Sequence, residues 1–162
     1  MPLKTSTVHQ LKKEMELLPR EVLIDHCLRL AKYKKENKEL LHYLLFESID
    51  EDSYIEEVKT DIETEFKEIN TDKFIYVKRS IRRIHKMTTK CIKHSGKKET
   101  EVELLICFCK QMQHCKMRLR RSTVMKNLYE RQLINIEKAL GKLHEDMRID
   151  FEDELEEIKA GL

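Results

Sequence analysis

Residues 74–96 read FIYVKRSIRRIHKMTTKCIKHSG, and their spacing decides the fold class. Phe74, Val77, Ile81, Ile84, Thr88, Cys91 and Ile92 recur at intervals of three and four, so they share one side of an α-helix. Arg79, Arg82, Arg83, Lys86, Lys90 and Lys93 lie on the opposite side, within a stripe roughly 100° wide. A strand would scatter both sets over two faces. Ser95-Gly96 then closes the helix, because glycine reaches the left-handed conformation at little steric cost.

The same period runs outward in both directions. Toward the N-terminus, Ile55, Val58, Ile62, Phe66 and Ile69 form one stripe, behind a cap at Asp50 to Ser53 and opposite Glu57, Asp61, Glu65 and Glu68. Asn70-Thr71-Asp72 reads as the next cap. Leu40 to Phe46 and Leu104 to Cys109 are apolar almost all round, which predicts central core helices over 38–48 and 102–112. Thr5-Ser6-Thr7 caps a first helix carrying Val8, Leu11, Met15 and Leu18, and Pro19 fits the first position of the next. Residues 19–48 form one helix or a hairpin, with the hairpin preferred.

The expected fold is all-α: a single domain over 1–162 of about six or seven helices, as a helical bundle or short helical stack. The expected helices are 6–18, 19–34, 36–48, 53–69, 72–93, 98–120 and a long C-terminal one over 123–159. In the last, Met125, Tyr129, Leu133, Ile136, Leu140, Leu143 and Met147 are spaced like the a/d seam of a coiled coil, continued by Phe151, Leu155 and Ile158. Either the seam packs inside the domain or Tyr129, Leu133, Ile136, Leu140, Leu143 and Met147 pair with a second copy. Gly141 lies off the seam and costs about 1 kcal/mol of helix propensity, which weakens the helix without breaking it. Residues 30–46 resemble short, uncharacterised all-helical bacterial proteins. The resemblance implies no activity and no site.

Composition removes several function classes. The chain has 162 residues with only 3 Gly and 2 Pro. Gly96, Gly141 and Gly161 are too far apart for either glycine-rich phosphate cradle, so P-loop and dinucleotide fingerprints are absent. No apolar run is long enough to span a membrane, and no apolar signal region follows the N-terminus, so the expected location is cytoplasmic. Five cysteines, an odd number without framework spacing, read as reduced thiols.

Cys91, Cys107, Cys109, Cys115, His85, His94 and His114 fall between 85 and 115, which raises zinc binding. On one helix Cys107 and Cys109 point about 200° apart, and only Cys91 with His94 shares a helix end; two ligands do not make a site. Neither H-E-x-x-H nor paired Glu-x-x-His motifs occur. No metal, cofactor or catalytic residue is expected, and no small-molecule ligand is identifiable.

Charge is the more informative feature. The formal net charge is +2, yet residues 47–72 carry −9, 73–98 carry +10, 116–136 carry +5 and 137–162 carry −5. Charged neighbours can pair inside one fold. Two helices packed through their apolar stripes, however, turn their charged faces apart. The basic stripe then faces solvent, another chain, or a third element such as the acidic end around Glu145-Asp146 and Glu152 to Glu157. The leading expectation is a non-catalytic protein–protein interaction or scaffold protein, using Arg79, Arg82, Arg83, Lys86, Lys90 and Lys93 and acidic helix faces. The alternative is a nucleic-acid-binding protein using the same face without sequence specificity, with Arg118, Arg120 and Arg121.

Overall fold

Short polar side chains set the starts of two helices. In the computed structural model, which describes residues 5–115 and 119–161, Thr7 opens α1 (Val8–Glu16) with a capping box. The Gln10 N–H donates to Thr7 Oγ1 at 3.3 Å, and the Thr7 N–H donates back to Gln10 Oε1 at 2.9 Å. Asp50 opens α4 (Glu51–Lys67) in the same way, accepting from the Ser53 N–H at 3.1 Å and its hydroxyl at 2.7 Å. These two bonds hold the Asp50 carboxyl below its ordinary pKa.

The chain divides into two compact units, Met1–Phe46 and Glu47–Leu162. In the first, α1 is followed by α2 (Arg20–Tyr33) and α3 (Lys35–His42), then a single π-helical turn, Tyr43–Glu47, leads out of it. Pro19 stands just before α2, as its cap, one position earlier than its fixed φ suggested. Residues 19–48 are thus not one helix. Lys34 is extended (φ −142°, ψ 145°), and the Asn37 amide donates to the Leu30 carbonyl that the break leaves open, at 2.8 Å. Among the described residues α1, α2 and α3 bury no side chain.

The second unit is built around α6 (Lys98–His114). Val102, Leu104, Leu105, Ile106, Phe108, Cys109 and Met112 are buried, with α4, α5 (Phe74–Ser95), α7 (Thr123–Leu140) and α9 (Glu152–Lys159) against it. The expectation for 102–112 therefore holds. That for 38–48 does not: Leu40, Leu44, Leu45 and Phe46 are exposed, and only Tyr43 is buried there. An apolar run goes to a core only when enough neighbours exist to enclose it, and a unit of under 50 residues has few. Gly96 ends α5 as expected, at φ 70°, its N–H donating to the Ile92 carbonyl at 2.9 Å.

The helix expected over 123–159 is three helices, α7, the short α8 (Glu145–Ile149) and α9. After Leu140 the N–H groups of Lys142 and Leu143 bond three residues back, at 2.9 and 3.0 Å, tightening the last turn. The Arg148 guanidinium then donates to the carbonyls of Gly141 (3.1 Å) and Leu143 (3.0 Å), satisfying groups that the helix end leaves open. The returning chain buries Phe151 and Ile158, and the Tyr129 hydroxyl donates to the Ile158 carbonyl. Burying two large apolar side chains is worth about 1.5–3 kcal/mol each, which outweighs the turn of helix lost at a glycine.

Candidate binding face

The basic stripe is positioned by the opposite side of its own helix. Val77, Ile81, Ile84 and Thr88 are buried, fixing α5 against α4 and α6 and turning the cations outward. Arg79, Arg82, Arg83, Lys86 and Lys93 are exposed and Lys90 is half-buried. From Arg79 to Lys93 the stripe extends for roughly 21 Å at 1.5 Å per residue.

Arg83 meets an acidic helix within the fold. The Arg83 guanidinium grips both carboxylate oxygens of Glu65 on α4, a bidentate contact. Arg79, Arg82, Lys86 and Lys93 have no carboxylate within ion-pairing distance among the described residues. The acidic C-terminus, one possible cover, lies elsewhere. Glu154 and Glu157 of α9 both bond Lys110 of α6, at 2.7 and 3.1 Å, and Glu156 pairs with Lys159 at 3.6 Å. Those carboxylates outweigh the burial of Lys110 and raise its pKa. Glu57 and Asp61 of α4, and Glu68 at its C-cap, stay exposed.

The seam offered for self-association is placed differently. Tyr129, Ile136 and Leu140 are buried in the second unit, and Leu133, Leu143 and Met147 are half-buried. α7 packs chiefly against α6, and α9 meets it through the Tyr129 hydroxyl on the Ile158 carbonyl and the Lys159–Glu137 pair at 3.5 Å. Of the arginines named for nucleic acid, Arg120 and Arg121 are exposed on a single 3-10 turn, Leu119–Arg121, and Arg118 lies outside the described residues.

Sequence reasoning missed a second charged cluster. Lys59 bonds Glu103 of α6 at 2.6 Å and Glu56 at 2.9 Å, beside a groove of about 210 Å³ that also exposes part of Cys107, Lys110 and Glu154. Its signal was a lysine isolated in an acidic block, which says nothing about which carboxylate it meets. Burial, with Glu63 adding to it, pushes the Cys107 thiol up to about 11; burial pushes Cys109 up to about 12. Both thiols stay protonated near neutral pH and are poor nucleophiles. Alkylation by iodoacetamide at about pH 8 is expected to modify exposed Cys27 well before Cys107, with Cys109 protected until the chain unfolds. Mass spectrometry of a time course checks this order. Among the described residues no three His, Cys, Asp or Glu side chains converge to hold a metal ion, and no helix is long and apolar enough to cross a membrane.

No family model matches this chain, and no curated protein and no solved structure is similar to it.

Proposed function

We propose that this chain is a non-catalytic interaction protein that docks an acidic helical surface of a partner on the basic face of α5. The observation that carries the reading is the row of Arg79, Arg82, Lys86 and Lys93, exposed and without carboxylate partners among the described residues. Arg83 and Lys90 flank the row, and Arg83 already illustrates the chemistry by gripping a glutamate presented on a helix.

Magnitudes limit what charge alone achieves. An exposed ion pair contributes about 0.2–1 kcal/mol, so four give at most about 4 kcal/mol, or millimolar affinity. Charge therefore steers and orients the encounter, and apolar contacts must supply the rest. Ile75 and Tyr76, exposed at the N-terminal end of the same helix, offer such contacts. A protein surface fits this mixture better than a nucleic acid does, since the stripe carries no interleaved aromatic side chains on which bases could stack.

The test uses two labelled peptides of one composition: a helical one with Glu at i, i+4, i+7 and i+11, and a scrambled one. Fluorescence anisotropy at about 50 mM salt is expected to show tighter binding of the patterned peptide, weakening steeply as salt rises. The variant Arg79→Glu/Arg82→Glu/Lys86→Glu is expected to lose at least about tenfold in affinity. Equal binding of both peptides, or tighter binding of duplex DNA than of either, contradicts the reading.

A further inference from the structure

α4 and α5 carry opposite charges on adjoining outward faces. Glu57 and Asp61 of α4, with Glu68 at its C-cap, lie within about 40° of one another around the helix axis. All three are exposed, turned away from the buried Ile55, Val58 and Ile62, and none has a basic partner among the described residues. The basic row of α5 runs beside them, and the Arg83–Glu65 pair joins the two rows into one surface.

Spacing matches across the two helices. Glu57, Asp61 and Glu68 are four and then seven residues apart, and so, read backwards, are Lys90, Lys86 and Arg79. Their levels match as well. The Tyr54 hydroxyl of α4 donates to the Cys91 carbonyl of α5 at 3.2 Å and Glu65 meets Arg83, so the two helices run antiparallel. On the scale those contacts set, Glu57 stands level with Lys90, Asp61 with Lys86 and Glu68 with Arg79, each to within about two residues or ~3 Å. Inside one chain those pairs are not formed, because both rows point outward and meet at their shared edge through Glu65 and Arg83.

We propose that the partner helix of the α5 face is α4 of a second copy, the two copies being related by a two-fold axis parallel to both helices. The proposal rests on the docking reading above and names its partner. Such an axis exchanges α4 for α5 and keeps every residue at its own level. Glu57, Asp61 and Glu68 of each copy then come opposite Lys90, Lys86 and Arg79 of the other. An axis across the helices would instead set α5 on α5, where residues 73–98 hold 10 basic residues and no acidic one.

The chain's other acidic helices fit the basic row less well. α1, α2 and α3 carry two acidic residues each, so no helix of the first unit offers a row of three. Glu154, Glu156 and Glu157 of α9 are engaged by Lys110 and Lys159. Six exposed ion pairs, three on each side of the axis, support at best a Kd on the order of 10–100 µM at low salt. The dimer is therefore weak, and salt dissolves it.

Sedimentation velocity of the full chain from about 5 to 500 µM, in about 50 mM salt, is expected to show a monomer–dimer equilibrium. Raising salt to about 500 mM is expected to weaken it at least about tenfold. Arg79→Glu/Lys86→Glu and Asp61→Lys/Glu68→Lys are each expected to dimerise at least about tenfold more weakly than the parent, and circular dichroism checks that both stay helical. Mixed one to one, the two variants are expected to form a heterodimer within about threefold of the parent Kd. In that heterodimer one contact row is restored by the double swap and the other is unchanged. A parent that stays monomeric at about 500 µM, variants that dimerise as the parent does, or a mixture no tighter than its components overturns the proposal. The patterned glutamate peptide separates this proposal from the reading beneath it. A monomeric parent that binds the peptide overturns the second copy as partner and leaves the docking reading standing, whereas one that does not bind it overturns both.

Discussion

Phe108→Ala is expected to destabilise the second unit by about 3–5 kcal/mol. Phe108 sits in the middle of α6 with no exposed surface, its ring 5.6 Å from Phe66 in an edge-on contact and 5.4 Å from the His85 ring. Truncation removes the transfer free energy of the ring and opens a cavity among neighbours on α4, α5 and α6. Those neighbours are held by their own packing and relax only in part. Domains are stable by about 5–15 kcal/mol, so this single change removes a large share of the total. Urea unfolding followed by circular dichroism reads it as a fall in midpoint. A loss under about 1 kcal/mol would mean that α6 is not the centre of the unit.

Glu51→Ala is expected to cost about 2–3 kcal/mol, although Glu51 is a charged residue at a helix start. Its Oε1 accepts from the Ser95 hydroxyl at 2.5 Å and the Thr100 hydroxyl at 2.6 Å, and its Oε2 pairs with Lys97 at 3.0 Å. One carboxylate therefore ties the start of α4 to both sides of the turn at Gly96. Thr100 is fully buried, so removing the acceptor leaves its hydroxyl with the Ser95 hydroxyl, 3.0 Å away, in place of a carboxylate. Glu51→Gln keeps one acceptor oxygen and is expected to recover about half of the loss. The same unfolding series distinguishes this from an ordinary surface pair, for which both variants would fall within about 0.5 kcal/mol of the parent.

What the sequence reveals and what it hides can be seen in two similar runs. Leu40 to Phe46 and Leu104 to Cys109 both read as all-round apolar helix, and both sit in helical segments. The second lies at the centre of the fold, whereas the first is largely exposed. Local composition cannot separate them, because burial depends on how many other helices are available to enclose each run.

Gly141 makes the same point about breaks. Its propensity cost is small, and the helix stops there because the returning chain buries Phe151 and Ile158 and because Arg148 can reach two open carbonyls. Those gains arise from contacts that spacing along one helix does not report. The basic stripe, in contrast, was readable residue by residue, since its angular position follows from α-helical geometry alone. Which cation meets which carboxylate was not. The Arg83–Glu65 pair depends on the register of α4 against α5, and the pairing of Lys110 with Glu154 and Glu157 depends on the unforeseen return of α9.

The central claim is that Arg79, Arg82 and Lys86 recognise carboxylates arranged along a partner helix, and a charge swap tests it most directly. The four combinations pair the unmutated chain or Arg79→Glu/Arg82→Glu/Lys86→Glu with the patterned glutamate peptide or its lysine counterpart. The account predicts that each mismatched combination binds at least about tenfold more weakly than the original, and that the doubly swapped one returns to within about threefold of it. Affinity that the variant chain keeps for the glutamate peptide, or a doubly swapped combination as weak as the mismatched ones, would contradict it.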